Sequence, residues 1–217
     1  ACYKLGVFMS LYIMAFKMGA EPFFFNQAKE KNAKQTYARI LNWFIVFGAL
    51  FMLIIVGFID QFALLLLGKS EYFNALEIVP IILLANLFLG IYYNLAVWFK
   101  LTDKTRYGMY FSVLGALVTI SLNIVFIPKI GYMASAWATL VTYTFITLLS
   151  YFYGKKYYHI PYPLKSIFFT LLVTVIGSYV SFSHFRGNYF VSIAIIRTFL
   201  SLTIWTQKSE LKQIWKT

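Results

Sequence analysis

Long apolar stretches alternate with short polar segments along the chain. A helix needs about 20 mostly apolar residues to cross a bilayer, and seven stretches have roughly that length. Two of them, residues 40–59 and 78–99, contain no charged residue. The other predicted spans cover residues 5–27, 107–127, 132–153, 166–185 and 189–207. This pattern predicts an all-α fold, a polytopic transmembrane helical bundle of about seven spans.

Several features modify these spans. Gly19 and Pro22 predict a kink in the first span, because proline removes a backbone donor. The apolar run 62–67 is too short to cross the bilayer and is expected to extend the preceding helix or lie at the interface. Pro-Lys-Ile-Gly at 128–131 predicts a tight turn between two antiparallel spans. Small residues expected to let these helices approach closely are Gly115, Ala116, Ala134, Ala136 and Ala138.

Composition supports a membrane protein and argues against a soluble one. Hydrophobic residues make up 61% of the 217 positions and charged residues 12%, against about 45–50% and about 25% in soluble domains. The basic residues that give the net charge of +12 lie mainly between apolar runs rather than on one water-facing surface. Nucleic-acid binding is therefore not predicted. Tyr, Phe and Trp are interpreted as lipid-facing bulk and interface anchors. Cys2 is the only cysteine, which excludes an internal disulfide and a cysteine-rich metal site.

Basic residues are distributed unevenly over the two sides of the predicted bundle. Thirteen lie in alternate segments, 28–39, 100–106, 155–165 and 208–217. Four lie on the opposite side, Lys4, Lys69, Lys129 and Arg186. Because basic residues concentrate in cytoplasmic segments, we predict a first span that starts outside and a cytoplasmic C-terminus. An odd number of spans starting outside also predicts further spans upstream.

Motifs that would indicate an enzyme are missing from the sequence. It contains no HExxH, paired cysteines, P-loop or GxSxG. We therefore predict a protein that is not an enzyme, with no catalytic residue, metal site or cofactor. His159 and His184 are interpreted as solvated or interfacial side chains.

Charged residues inside predicted spans are the candidate binding residues, because a charge at the bilayer centre costs about 2.5–3.5 kcal/mol. Lys17 and Glu21 are four residues apart on one helix face, so either they neutralise each other or Lys17 faces a polar cavity. Arg197 either snorkels, pairs with another helix or binds a ligand. Lys4 would line an outer vestibule or lie among lipid headgroups. Polar residues interpreted as interhelical hydrogen-bonding groups are Asn42, Asn86, Asn94 and Asn123.

AFKMGAEPFFFNQAKEKNAKQTYARILNWF, residues 15–44, contains a helix ending in proline and aromatics before a basic loop. Together with two later segments, it resembles bacterial polysaccharide-unit flippases. Residues 68–108 are similar to their Gly, Tyr, Ala and Pro segment followed by a helix and a Lys-Thr connector. IPKIGYMASAWATL, residues 127–140, resembles their proline–glycine hairpin. The order of these segments is the specific signal, and it covers roughly residues 10–155.

The resemblance implies the oligosaccharidyl-lipid exporter superfamily, which includes multidrug and toxin extruders and the lipid II flippase. Its members have two six-helix bundles, often with two additional C-terminal helices. Residues 1–154 would then form the second bundle without its first helix, and 155–165 a cytoplasmic connector. Residues 166–207 would form the additional transmembrane pair, and 208–217 a cytoplasmic tail.

The implied function is export of undecaprenyl-pyrophosphate-linked oligosaccharide units across the bacterial plasma (inner) membrane, for lipopolysaccharide and O-antigen synthesis. Lys17 would attract the pyrophosphate, and Glu21 would couple transport to a proton or cation if it faces the cavity. Implied partners are the lipid-linked oligosaccharide, membrane lipids, the N-terminal bundle and the polymerisation machinery. A drug or cation antiporter is the alternative within the superfamily. A membrane transferase would need clustered acids or histidines, whereas Asp60, Asp103, His159 and His184 lie on both sides.

The predicted orientation is testable by cysteine-accessibility labelling of single-cysteine variants in residues 28–39. These cysteines should react with a membrane-impermeant reagent only after the cells are opened, because the segment is predicted to be cytoplasmic. Labelling from outside intact cells would overturn the orientation.

Overall fold

The computed structural model describes residues 3–67 and 76–207, which form helices and no strand. Predictions on Cys2, Lys69 and the tail 208–217 lie outside the described residues. The helices are α1 Tyr3–Gln27, α2 Ala33–Gly57, α3 Ile59–Leu67, α4 Ile78–Leu95, α5 Val97–Leu101, α6 Arg106–Ile130, α7 Tyr132–Tyr157, α8 Leu164–Ser183 and α9 Tyr189–Thr206. The predicted all-α polytopic fold is confirmed.

Six helical segments in the described part of the chain are long and apolar enough to cross a membrane. They are α2, the run Ile78–Leu101 formed by α4 and α5, and α6 to α9. The 25-residue helix α1 is long enough but is not among these six. Its charged residues Lys4, Lys17 and Glu21 lower its mean hydropathy. Because α1 packs along α4 and α2, we count it with the six as the seventh long helix of the bundle.

The helix α4 lies at the centre of the bundle and packs against α1, α2 and α7. The opposite side of α2 contacts α8 and α9, while α6 packs mainly against α7. Because α6 has one main neighbour, most of its apolar side chains are exposed, including Leu117 and Ile124. Exposed apolar surface of this kind suits contact with lipid in a membrane-spanning chain.

The turn between α6 and α7 differs from the prediction. Residues 128–131 were expected to form the turn, but α6 continues through Pro128 to Ile130. Gly131 alone reverses the chain, with a φ of 60° that favours glycine. The two helices are neighbours as predicted, and Gly115 is buried against α7. Ala116, by contrast, is exposed and does not contribute to this contact.

The polar connectors are shorter than the sequence suggested, because lysine and arginine are good helix formers and the helices extend into them. α2 begins at Ala33, and α7 continues to Tyr157 before α8 begins at Leu164. The connector that was predicted to span residues 155–165 therefore spans only 158–163. α1 runs through Pro22 to Gln27, and the short apolar run 62–67 belongs to α3, which follows α2 after Phe58.

Gly90 of α4 allows α1, α2 and α4 to meet closely. A Cβ atom added at Gly90 would lie 2.4 Å from Cζ of Phe44 on α2 and 3.1 Å from Cγ1 of Ile13 on α1. Phe44 and Ile13 are both buried, so neither side chain has free space into which to move. The glycine is therefore required by packing rather than by backbone conformation.

Replacing Gly90 with alanine should destabilise the protein by about 1–3 kcal/mol, because the added methyl group overpacks this contact. Gly19→Ala is the matched control, since Gly19 also lies in a helix and nothing is within 4 Å of its added Cβ. Thermal unfolding of the purified protein in detergent should show a lower Tm for Gly90→Ala only. Equal Tm values for the two variants would contradict the packing described here.

Candidate substrate-binding site

A cleft of about 490 Å³ lies between α1 and the second half of α4. Its walls are mainly apolar, with Ile13 and Met14 from α1 and Leu89 from α4. The charged side chains Lys17 and Glu21 lie in the same cleft together with the aromatic ring of Tyr93. The cleft therefore combines apolar walls with a small charged group.

Polar contacts hold α1 beside α4 and α2 and so determine the shape of the cleft. The Asn86 side-chain amide donates to the Gly6 carbonyl oxygen at 3.2 Å, which confirms hydrogen bonding between helices at this asparagine. The Tyr12 hydroxyl donates to the Phe44 carbonyl oxygen at 2.8 Å. The first bond ties α1 to α4 near the start of α1, and the second ties α1 to α2 beside the Gly90 contact.

Lys17 has two neighbours of different chemistry. Its Nζ atom lies 3.7 Å from Oε1 of Glu21 and 4.8 Å from the centroid of the Tyr93 ring. The first contact is the ion pair expected from their four-residue spacing, and the second is a cation–π contact. The Lys17 side chain keeps 42% of its surface exposed, so it remains accessible from the cleft.

Lys100 completes the charged group and was not predicted from the sequence. Its Nζ atom lies 2.5 Å from the same Oε1 atom of Glu21, closer than Lys17. The prediction placed Lys100 in a polar connector, but it lies in the helix α5. The neighbouring Trp98 is buried and donates from its indole nitrogen to Oγ of Ser150 on α7 at 3.2 Å, which fixes α5 in place.

Glu21 is thus shared by two cations. The sequence left open whether Lys17 and Glu21 neutralise each other, and the structure shows a group of two lysines with one carboxylate. Its formal charge is one positive unit. About a third of each Glu21 and Lys100 side chain is exposed, so solvent weakens these ion pairs and leaves them able to rearrange.

A second polar group, the side chain of Asn94, lies next to these charges. Asn94 lines a small space together with Lys17 and Glu21, and its side chain is 5% exposed. Its amide nitrogen donates to the Gly90 carbonyl oxygen at 3.0 Å. Its Oδ1 atom is buried and has no hydrogen-bond partner within the described residues. A buried acceptor without a partner is costly, which makes Asn94 a further candidate binding residue.

Two other predicted site residues lie elsewhere. Lys4 is exposed on α1, about 20 Å from Lys17 along the axis at 1.5 Å per residue. Arg197 is exposed on α9, which packs against α2 and α8. Neither residue lines the cleft, so the structure brings together only Lys17 and Glu21 from the predicted set.

The histidines are exposed, as interpreted from the sequence. His159 lies in the connector between α7 and α8. His184 follows α8, with its ring 5.9 Å from that of Tyr179. Over the ranges 3–67 and 76–207, His, Cys, Asp and Glu form no group of three suited to a metal ion.

Comparison with known families assigns this fold to a class. The MatE family model matches residues 3–125, more than half of the chain and including every residue of the cleft. The chain therefore belongs to the MatE family, whose members are membrane transporters and whose superfamily includes polysaccharide flippases. No curated protein and no solved structure gave a match.

The proximity of α1 and α5 at the site can be checked by cross-linking. A Glu21→Cys/Lys100→Cys variant should be joined efficiently by a short bifunctional thiol reagent, because the native side chains touch. The control is Lys4→Cys/Lys100→Cys, since Lys4 lies about 26 Å from Glu21 along α1. Similar cross-linking yields for both pairs, measured by mass spectrometry after proteolysis, would refute the described geometry.

Proposed function

We propose that this chain is part of an exporter of undecaprenyl-pyrophosphate-linked oligosaccharide units for cell-surface polysaccharide synthesis, and that the cleft between α1 and α4 binds the pyrophosphate headgroup. The observation that carries this proposal is the sharing of Glu21 by Lys17 and Lys100 at an otherwise apolar cleft. Such a group carries an excess positive charge in a site where an anionic substrate would need one.

Glu21 holds the two ammonium groups together when no substrate is bound. A pyrophosphate offers several strong acceptors for both lysines, so it can replace the single carboxylate oxygen that they share. Partial exposure of all three side chains keeps the cost of separating them low. The headgroup would then bind by exchange of partners rather than by entering a preformed empty site.

The remaining groups of the cleft suit the other parts of this substrate. The Tyr93 ring offers an apolar face for a sugar ring. Oδ1 of Asn94 lies in the small adjoining space, has no partner among the described residues, and would accept from a hydroxyl group that enters that space. The walls formed by Ile13, Met14 and Leu89 match a polyprenyl chain close to the headgroup. Transport would follow from rocking of this bundle against the N-terminal bundle, which would supply the opposite wall.

A drug or cation antiporter of the same superfamily is the competing function. Its site would need negative charge to attract a cation. Glu21 is the acidic side chain of the cleft, but two lysines already surround it. The local charge therefore favours an anionic substrate over a cationic one.

The location and partners belong to the same proposal. The exporter would act in the bacterial inner membrane as a multi-pass protein with a cytoplasmic C-terminus, as the positive-inside rule predicts. It would receive its substrate from the inner leaflet and deliver it to the polymerisation machinery. No enzymatic step is required, because flipping breaks no covalent bond.

In the full-length protein, Lys17→Ala and Lys100→Ala should each lower the export rate about three- to tenfold, the value of one charge-assisted hydrogen bond reduced for partial exposure. Lys17→Arg should retain more activity than Lys17→Ala because it keeps the charge. Export is measured as transfer of the lipid-linked sugar unit across the membrane of vesicles or cells.

Arg197→Ala is the matched control, because it removes a positive charge from a span but lies outside the cleft. It should leave export unchanged. Equal export by the wild type, Lys17→Ala and Lys17→Arg would reject the role of Lys17. Loss of drug resistance in the lysine variants without loss of sugar export would instead favour the antiporter.

A further inference from the structure

A second groove, of about 630 Å³, lies on the other side of α4. The outer helices α7 and α8 form its walls, and α2 and the first half of α4 form its floor. Trp137 of α7 and Val175 of α8 are 49% and 41% exposed, so the groove opens onto the surface of the bundle. On a membrane-spanning chain this surface is covered by the bilayer.

The groove has an apolar and a polar end. Leu84, Leu140 and Val175 line the apolar end, which is the end nearer the middle of α4 and α8. At the other end, where α4 begins and α8 ends, the lining side chains include Glu77 and Arg186. The length from Val175 to the end of α8 is about 12 Å, slightly less than half of a hydrocarbon core about 30 Å thick. The groove therefore matches one leaflet in depth and polarity.

Arg186 is held in position at the polar end. Its Nε and Nη2 atoms donate to Oδ1 of Asp60 at 2.9 and 2.7 Å, and its guanidinium lies 5.3 Å from the Phe182 ring centroid. Both bonds go to one carboxylate oxygen, so other N–H groups of the guanidinium remain for a ligand. Arginine donors in a fixed plane suit a phosphate group.

Glu77 determines the net charge at the polar end of the groove. Among the described groups at this end, Asp60 offsets the charge of Arg186, and the exposed Glu77 adds a negative charge. An anionic headgroup would meet this excess negative charge, whereas a zwitterionic headgroup would place a phosphate at Arg186 and an ammonium at Glu77. The charge pattern thus distinguishes between two classes of phospholipid.

Ser178 provides an independent indication of a ligand. Its side chain lines the groove and is 3% exposed, and its Oγ atom has no hydrogen-bond partner within the described residues. A buried hydroxyl normally finds a partner. The ester oxygens of a phospholipid lie just below its phosphate and would accept a hydrogen bond from this hydroxyl.

We propose that this groove binds one phosphatidylethanolamine molecule of the bilayer, with its phosphate at Arg186, its ammonium at Glu77 and an acyl chain along α8. The site is separate from the cleft between α1 and α4 and does not depend on which substrate is transported. The bound lipid fills the space between α7 and α8 and so adds to the direct packing of α8 and α9 on α2.

Native mass spectrometry of the full-length protein, incubated in detergent with equal amounts of phosphatidylethanolamine and phosphatidylglycerol of identical chains, tests this proposal. The wild type should retain phosphatidylethanolamine preferentially. Val175→Trp should lose most of it, because the indole fills the groove. Leu172→Trp is the matched control on the same helix, since Leu172 is exposed but does not line the groove, and it should behave as the wild type.

Glu77→Gln tests the charge argument with a change at an exposed position. It should lower the preference for phosphatidylethanolamine over phosphatidylglycerol about two- to fivefold, the value of one exposed charge pair. Equal retention of both lipids by the wild type, or unchanged retention by Val175→Trp, would overturn the proposal. A dimer that disappears only in Val175→Trp would identify a second copy as the occupant and would also overturn it.

Discussion

The contact of α4 with α1, α2 and α7 is the interaction on which the rest of the structure depends. In a bilayer, apolar side chains gain little from leaving lipid, so helices associate through close packing and hydrogen bonds. Gly90 permits the packing, and the bonds from Asn86 and Tyr12 fix the position of α1. Because α4 is central, one face of it forms the cleft beside α1 and another forms the floor of the groove beside α8.

The two sites use charge in different ways. In the cleft, one carboxylate is shared by two lysines, and we propose that an anionic substrate replaces it. In the groove, the Asp60 carboxylate holds Arg186 in place, while Glu77 makes the net charge of the polar end negative. In both places an acidic residue determines where a cation lies. Asp60 holds Arg186 through two hydrogen bonds, whereas the shared Glu21 leaves its two partly exposed lysines able to rearrange.

Much of the fold followed from the sequence, because span length and hydropathy are nearly sufficient to define membrane helices. The spacing of four residues placed Lys17 and Glu21 on one helix face, but it left open whether they pair or Lys17 faces a polar cavity. Lys100 lies 79 residues from Glu21, and only the packing of α1 against α4 brings them together. Asn94 was interpreted as a structural group because sequence does not reveal whether both of its polar atoms have partners.

Gly131 has a consequence for how the chain enters the membrane. It is the single residue between α6 and α7, so the chain provides no polar loop long enough to let one helix insert and wait for the other. We therefore expect these two helices to enter the bilayer together, as a hairpin. α6 packs mainly against α7, with the rings of Trp98 and Phe99 on α5 against its first turns, so most of its length has no protein neighbour until α7 is in place.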